Sequence, residues 1–253
     1  MLLEIDSNGV IRAVPDVFVG NPLNVYRAAR YAACYEFKVA PETVRLMGLL
    51  KKDLWDIPVE DLFVELQKAL NGKRPSLFFR VLAEAGVLDV HFEEIHRLIG
   101  VPQPPQHHPE GDAFEHSMQV LDAMANMTSE EELRWAALVH DLGKAVTPAE
   151  ILPRHFGHEK AGVPLVEALG ERLRLPQHWT EIAKIGAEEH MRAARIQEMR
   201  PAKRERFLKK IKNSVIGLDG MAMLVAADHR GRNNPDAEVP VAIALLEMGT
   251  GTN

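Results

Sequence analysis

The chain has 253 residues, 46% of them apolar and 26% charged, enough for one large or two small packed domains and too apolar for a disordered chain. A single cysteine, Cys34, excludes an intramolecular disulfide and a thiolate zinc cluster and points to a reducing compartment. The net charge of −6 offers no bulk attraction for nucleic acid or an anionic membrane, and no apolar run nears the ~20 residues a spanning helix needs.

The first residues, Met1-Leu2-Leu3-Glu4-Ile5-Asp6, lack the basic region and apolar core of a signal peptide, so a cytoplasmic protein is expected. Residues 3–14 alternate around Asn8-Gly9, which favours the positive φ of a tight hairpin. From Pro22 onward the period is helical: Leu23, Tyr26, Ala29, Arg30 and Ala33 share one face. Amphipathic stretches come next at about 41–51, 58–71, 74–85 and 89–99, punctuated by Pro41, Pro58 and Pro75. Three prolines between Val101 and His108 stop helix continuation, and a domain boundary is placed there. Helices are expected again at about 112–126, 129–142, 159–174, 177–192, 201–213 and 214–229, and after a loop over 231–236 comes one last apolar stretch at about 239–248. The fold class read from this pattern is all-α, two tandem helical bundles over 1–100 and 101–253 with a short N-terminal β-hairpin.

Eleven histidines are the unusual count. His140-Asp141 closes an apolar helix just before Gly143 and Lys144. His116 lies one helix upstream, and Asp228 stands near the end of a later apolar helix. Two imidazoles and two carboxylates suit a borderline-to-hard divalent ion such as Mn, Ni, Fe or Mg, with positions left for water and substrate.

This set resembles the signature of the HD-domain metal-dependent phosphohydrolases, an all-helical fold. The likeness extends over about residues 1–232. Arg27-Ala28-Ala29-Arg30-Tyr31-Ala32-Ala33, Ala40-Pro41-Glu42-Thr43, His140-Asp141-Leu142-Gly143-Lys144, Pro153-Arg154-His155-Phe156-Gly157-His158-Glu159 and Asp228-His229-Arg230-Gly231-Arg232 are similar to the neck and HD region of bacterial CCA-adding tRNA nucleotidyltransferases. The departures are specific. The Gly-Ser and Asp-x-Asp motifs of that family's catalytic head are missing. Its templating Glu-Asp-x-x-Arg stands here as Gly20-Asn21-Pro22-Leu23-Asn24, with both template charges gone.

The resemblance implies a divalent ion held by His116, His140, Asp141 and Asp228, activating water for attack on a phosphate ester. Asp141, Lys144, His158 and His190 are the expected catalytic residues, Lys144 as a point charge for phosphoryl oxygens and the two histidines in the cavity, where a second ion stays open. The bland alternatives are a solvated Lys144 and helix-capping histidines. His107 and His108 read as solvated, Glu188-Glu189 as a solvated helix face, and Cys34 as a buried inert thiol. Residues 192–212 hold nine Lys/Arg against two Glu, a basic segment that suits RNA or a merely solvated helix face.

The expected partner is a phosphate ester, a nucleotide or a tRNA 3′ end including 2′,3′-cyclic phosphates, and no membrane. The alternatives are a non-catalytic tRNA-binding accessory module and one part of a split CCA-adding enzyme.

Overall fold

The computed structural model describes residues 3–250 and divides the chain into two units, residues 1–97 with 172–174 and residues 98–171 with 175–253. The first unit opens on the expected hairpin: β1 (Leu3–Ile5) pairs antiparallel with β2 (Val10–Ala13), Leu3 opposite Ala13 and Ile5 opposite Ile11. Asp6 accepts from the Asn8 and Val10 amides at 2.8 and 3.0 Å, and Gly9 turns the chain at φ +70°. A Cβ at Gly9 would lie 2.8 Å from the Phe37 ring, so both conformation and space require glycine.

Two elements escape the sequence pattern. One is a short helix α1 (Pro15–Val19), which precedes α2 (Asn24–Tyr35); the other is β3 (Lys38–Val39), which adds to β2 in parallel. A parallel partner needs a crossover, and α1 and α2 supply it. With α3 (Pro41–Leu49), α4 (Val59–Leu70) and α5 (Ser76–Glu84) the unit is a small bundle in which α2 packs on α4 and α5. The helix expected over 89–99 is broken into a 3-10 turn (Leu88–Val90) and α6 (Glu93–His96). The backbone leaves the helix at His91 and Phe92, and both side chains enter the core. Tyr26 donates to His91 Nδ1 at 2.6 Å, and Phe92 packs edge-on against Phe78 and Phe79.

Asn24, at the templating position of the resemblance, is buried and caps α1: its Nδ2 donates to Phe18 O at 3.0 Å. Cys34 is half-buried, its Sγ 3.2 Å from the Lys68 carbonyl.

The second unit comprises α7 (Ala113–Ala125), α8 (Glu131–Val139), α9 (His158–Arg172), α10 (Gln177–Ala193), α11 (Pro201–Lys212), α12 (Gly217–Arg230) and α13 (Pro240–Thr250). α8 is its axis. Every residue from Leu133 to Val139 is buried, and the helix packs on α7, α10 and α12. A helix enclosed on all sides holds the residues just beyond its last turn in the interior too. Here those residues are His140 and Asp141, both buried. The fold is therefore mostly α with short N-terminal strands, and no helix among the described residues is long and apolar enough to cross a membrane.

Candidate metal centre

Five helices deliver the imidazoles and carboxylates. Asp112 caps α7, accepting from the Glu115 amide at 2.8 Å, which fixes the first turn and sets His116 one turn in. His140 and Asp141 close α8. After them a 3-10 turn (Leu142–Val146) runs backbone to backbone against the start of α9: a Cβ at Gly143 would lie 2.0 Å from His158 O and 2.6 Å from Gly162 N. The glycine is there for close approach rather than flexibility, and that approach places His158. His190 comes from the last turn of α10 and Asp228 from the last turn of α12.

These residues converge. His116 Nε2 lies 3.0 Å from Asp228 Oδ1 and 3.6 Å from Asp141 Oδ2. Asp141 Oδ2 also faces His140 Nε2 at 3.2 Å and Lys144 Nζ at 2.6 Å, while its Oδ1 faces His158 Nε2 at 3.1 Å and His190 Nε2 at 3.5 Å. All seven side chains are buried.

The imidazoles share one arrangement. His140 Nδ1 donates to Ala137 O at 2.8 Å, His158 Nδ1 to His155 O at 2.7 Å, and His190 Nδ1 to Ala187 O at 3.0 Å. A carbonyl can only accept, so each Nδ1 carries a proton and each ring presents Nε2 to the middle. His116 does the same with a carboxylate, its Nδ1 lying 2.7 Å from Glu110 Oε1, close enough for charge attraction though bent from the line of a hydrogen bond. His116 Nε2, His140 Nε2 and Asp141 Oδ1 are buried without a hydrogen-bond partner, although charged atoms surround them.

Buried polar atoms left unmatched around one point are the donor set a cation needs. The ligand atoms of His116, His140 and Asp228 lie within 4.8 Å of one another, as do those of His140, Asp141 and His190. Donors bonded to one divalent ion are separated by at most about 4–5 Å, so the residues fit such an ion. Electrostatics agree. Burial alone would raise Asp141 and Asp228, but His140 and Lys144 beside the first and His116 and Arg232 beside the second hold both carboxyls well below the usual range. Burial pushes His140 down, toward the neutral imidazole a metal requires, whereas at His116 burial is outweighed by the Asp228 and Glu110 carboxylates, which raise it and which a cation at the centre would counter. His158 also goes up: burial opposes its charge, but Asp141 outweighs it and raises the imidazole.

Several sequence readings change. His108 is not solvated; it is half-buried, donates from Nδ1 to Glu110 Oε1 at 2.7 Å and stands edge-on to His116 at 4.8 Å. Glu189 is buried rather than on a solvated face, held by Arg192 at 2.8 Å and Lys210 at 2.5 Å. Part of the basic segment is thus structural. Glu110 gives no sequence signal, because it sits in the proline loop where no periodicity marks a buried position. Its side chain is 0% exposed, and although burial raises it, His108 and His116 pull its carboxyl down to about 2. Gln103 is silent in the sequence for the same reason; its Oε1 accepts from Lys144 Nζ at 2.6 Å. A cavity of about 1070 Å³ reaches the centre and is bordered by Asp141, Lys144, His158, His190 and Asp228.

Residues 113–224 match the HD domain family, and residues 36–99 match the family described as the probable RNA- and SrmB-binding site of polymerase A. The chain is 38% identical over 238 residues to the multifunctional CCA protein of Mannheimia succiniciproducens, covering 89% of this chain and 57% of that protein. It is 41% identical over 205 residues to the multifunctional CCA protein of Haemophilus influenzae, covering 77% and 49%. It spans about half the length of these curated relatives. Among solved structures, a CCA-adding enzyme in complex with ATP shares the fold at a TM-score of 0.56 with 17% identity, over 96% of this chain and 51% of that one. A tRNA nucleotidyltransferase complexed with a primer tRNA and an ATP analogue does so at 0.54 with 16% identity, over 96% and 62%. The chain carries an HD domain joined to a polymerase A type RNA-binding region, and matches the neck and HD region of multifunctional CCA proteins.

Proposed function

We propose that this chain is a metal-dependent phosphohydrolase that cleaves phosphate esters of nucleotides or RNA ends, 2′,3′-cyclic phosphates among them. The observation that carries the reading is the buried ring of Nε2 and carboxylate atoms whose outer nitrogens are already committed to carbonyls and Glu110. In this reading residues 1–100 form the neck-like domain and 101–253 the HD domain. His116, His140, Asp141 and Asp228 hold a Mn, Ni, Fe or Mg ion. Bound there, the ion supplies Lewis acidity that polarises water and a phosphoryl oxygen.

The chain's own groups do the rest. Lys144 gives one N–H to Asp141 and one to Gln103, and its third is left for a phosphoryl oxygen. Asp141 orients both Lys144 and the His158 imidazole. Water oxygen bonds to phosphorus as one P–O ester bond breaks, and His158 Nε2 delivers the proton that the departing oxygen needs. His190 Nε2, left as a lone pair by its Nδ1 bond to Ala187, takes the proton that the attacking water loses and returns it to His158 Nε2, 3.4 Å away.

The test is metal content and turnover of a 2′,3′-cyclic nucleotide, with each divalent ion added in turn, for the unaltered protein and for His140→Ala/Asp141→Ala. The unaltered protein is expected to retain or require an ion and to hydrolyse the ester, and the double variant to lose both. Full turnover in the variant, or none in the unaltered protein with any ion, refutes the reading. A second reading is favoured by the match over residues 36–99: tRNA binding that needs no metal. Salt-dependent tRNA binding that survives Asp141→Ala, in a protein without hydrolysis, would put it first.

A further inference from the structure

The cavity that reaches the centre is lined by cations of two kinds. Lys144, Arg192 and Arg232 have carboxylate partners, Asp141 at 2.6 Å, Glu189 at 2.8 Å and Asp228 at 2.8 Å. Arg154, Arg195, Arg200 and Lys203 line the same cavity, are exposed, and make no side-chain ion pair or hydrogen bond among the described residues. Glu198 borders the cavity too, yet is within ion-pair distance of none of them. Three of the four sit together in sequence: Arg195 just past the end of α10, Arg200 immediately before α11, and Lys203 in its first turn.

Unpaired like charges that line one cavity repel each other, and an anion that enters it relieves that repulsion. A phosphate at the centre would be met by Lys144 and, in the hydrolase reading, by the ion held there, which leaves these further cations for a second anion. The cavity, at about 1070 Å³, is also at or beyond the upper end of the roughly 300–1,000 Å³ of a small-molecule site. Phe156, 76% exposed on the same cavity, offers an aromatic face to a base.

We infer that Arg195, Arg200 and Lys203 form a subsite for a second phosphate, so that the substrate is a nucleotide or strand end carrying at least one phosphate beyond the one attacked. The inference rests on the hydrolase reading and names the substrate class of that site. The shared chemistry has two sources, a free nucleotide with a 5′-phosphate or an oligoribonucleotide whose penultimate phosphodiester lies on the wall.

Three substrates separate them: a nucleoside 2′,3′-cyclic phosphate, the same compound carrying a 5′-phosphate, and a dinucleotide ending in a 2′,3′-cyclic phosphate. The unaltered protein is expected to show a KM at least about tenfold lower for one or both of the doubly charged substrates. In Arg195→Ser/Arg200→Ser/Lys203→Ser that preference disappears while KM and kcat for the simple cyclic nucleotide stay as they were. Preference for the 5′-phosphorylated mononucleotide alone assigns a free nucleotide; preference for the dinucleotide assigns a strand end. Equal KM values in the unaltered protein, or a preference that survives the triple change, overturn the inference. If nothing is hydrolysed, the hydrolase reading has failed, and calorimetric binding of adenosine 3′,5′-bisphosphate against adenosine 3′-phosphate decides the subsite by itself. Tighter bisphosphate binding that the triple change abolishes supports it, and equal binding overturns it.

Discussion

Removing Glu110 isolates the contribution of a residue that never meets substrate. Its Oε1 lies 2.7 Å from both His108 Nδ1 and His116 Nδ1, and its carboxyl, held down to about 2, is ionised at any working pH. The negative oxygen favours a proton on His116 Nδ1, so that an ion arriving at the centre would find Nε2 able to present its lone pair. In Glu110→Ala nothing opposes the other tautomer, in which Nε2–H donates to Asp228 Oδ1, already 3.0 Å away. An ion would then have to displace that proton. Loss of such an outer carboxylate typically weakens metal affinity about 10–100-fold, which is about 1.4–2.7 kcal/mol. Titration calorimetry with Mn²⁺ on the unaltered protein, Glu110→Ala and Glu110→Gln measures it, with thermal melting of the metal-free forms as the control for folding. The amide introduced by Glu110→Gln still offers an acceptor oxygen without charge, and that variant is expected to fall between the other two. Affinity within twofold of the unaltered protein in a well-folded Glu110→Ala would show that the tautomer is fixed by something else.

The same geometry sets further outcomes. Burial and the nearby Arg172 lower His91 to about 4, so the folded protein binds that proton less readily than the unfolded chain. Its stabilisation is complete above about pH 6.5, the ordinary imidazole value, and declines as pH falls toward 4. At 1.36 kcal/mol per pH unit, with allowance for solvent screening, the loss is about 2 kcal/mol, measurable as urea midpoints against pH and flattened in His91→Gln. Tyr26→Phe removes the buried donor to His91 Nδ1 and is expected to cost about 1–3 kcal/mol in the same titration. Gly143→Ala drives a methyl into the His158 carbonyl and the Gly162 amide, so the start of α9 must shift. Destabilisation of about 1–3 kcal/mol together with weaker Mn²⁺ binding is expected; a normal affinity would mean that His158 is placed by other contacts.

The sequence shows the helical framework because amphipathic period and proline punctuation are local properties, and the structure obeys them from α2 through α12 except over 89–99, where the helix breaks at His91 and Phe92. It also shows His116, His140, Asp141 and Asp228 as a set, since their order and helix-end positions are written along the chain. The hidden features depend on partners from elsewhere in the chain. Glu189 looks solvent-facing on α10 until Lys210 arrives from α11. Glu110 and His108 lie among prolines, where only the folded loop reveals a buried carboxylate. β3 is two residues long, too short for any alternation to register. Gly143 is indistinguishable from a helix terminator until α9 is seen lying against it.

The proposed ligand set is also a statement about chain connectivity. His116 belongs to the first helix of its unit, His140 and Asp141 to the end of the second, and Asp228 to α12, so no fragment lacking either α7 or α12 contains it. An ion shared by these segments would act as a cross-link between remote parts of the chain, and the longer the loop such a link closes, the more disorder it removes from the unfolded state. Loading the centre would therefore tighten the whole helical unit around α8, and on the proposed reading metal supply would control how long the protein survives unfolding as well as what it does.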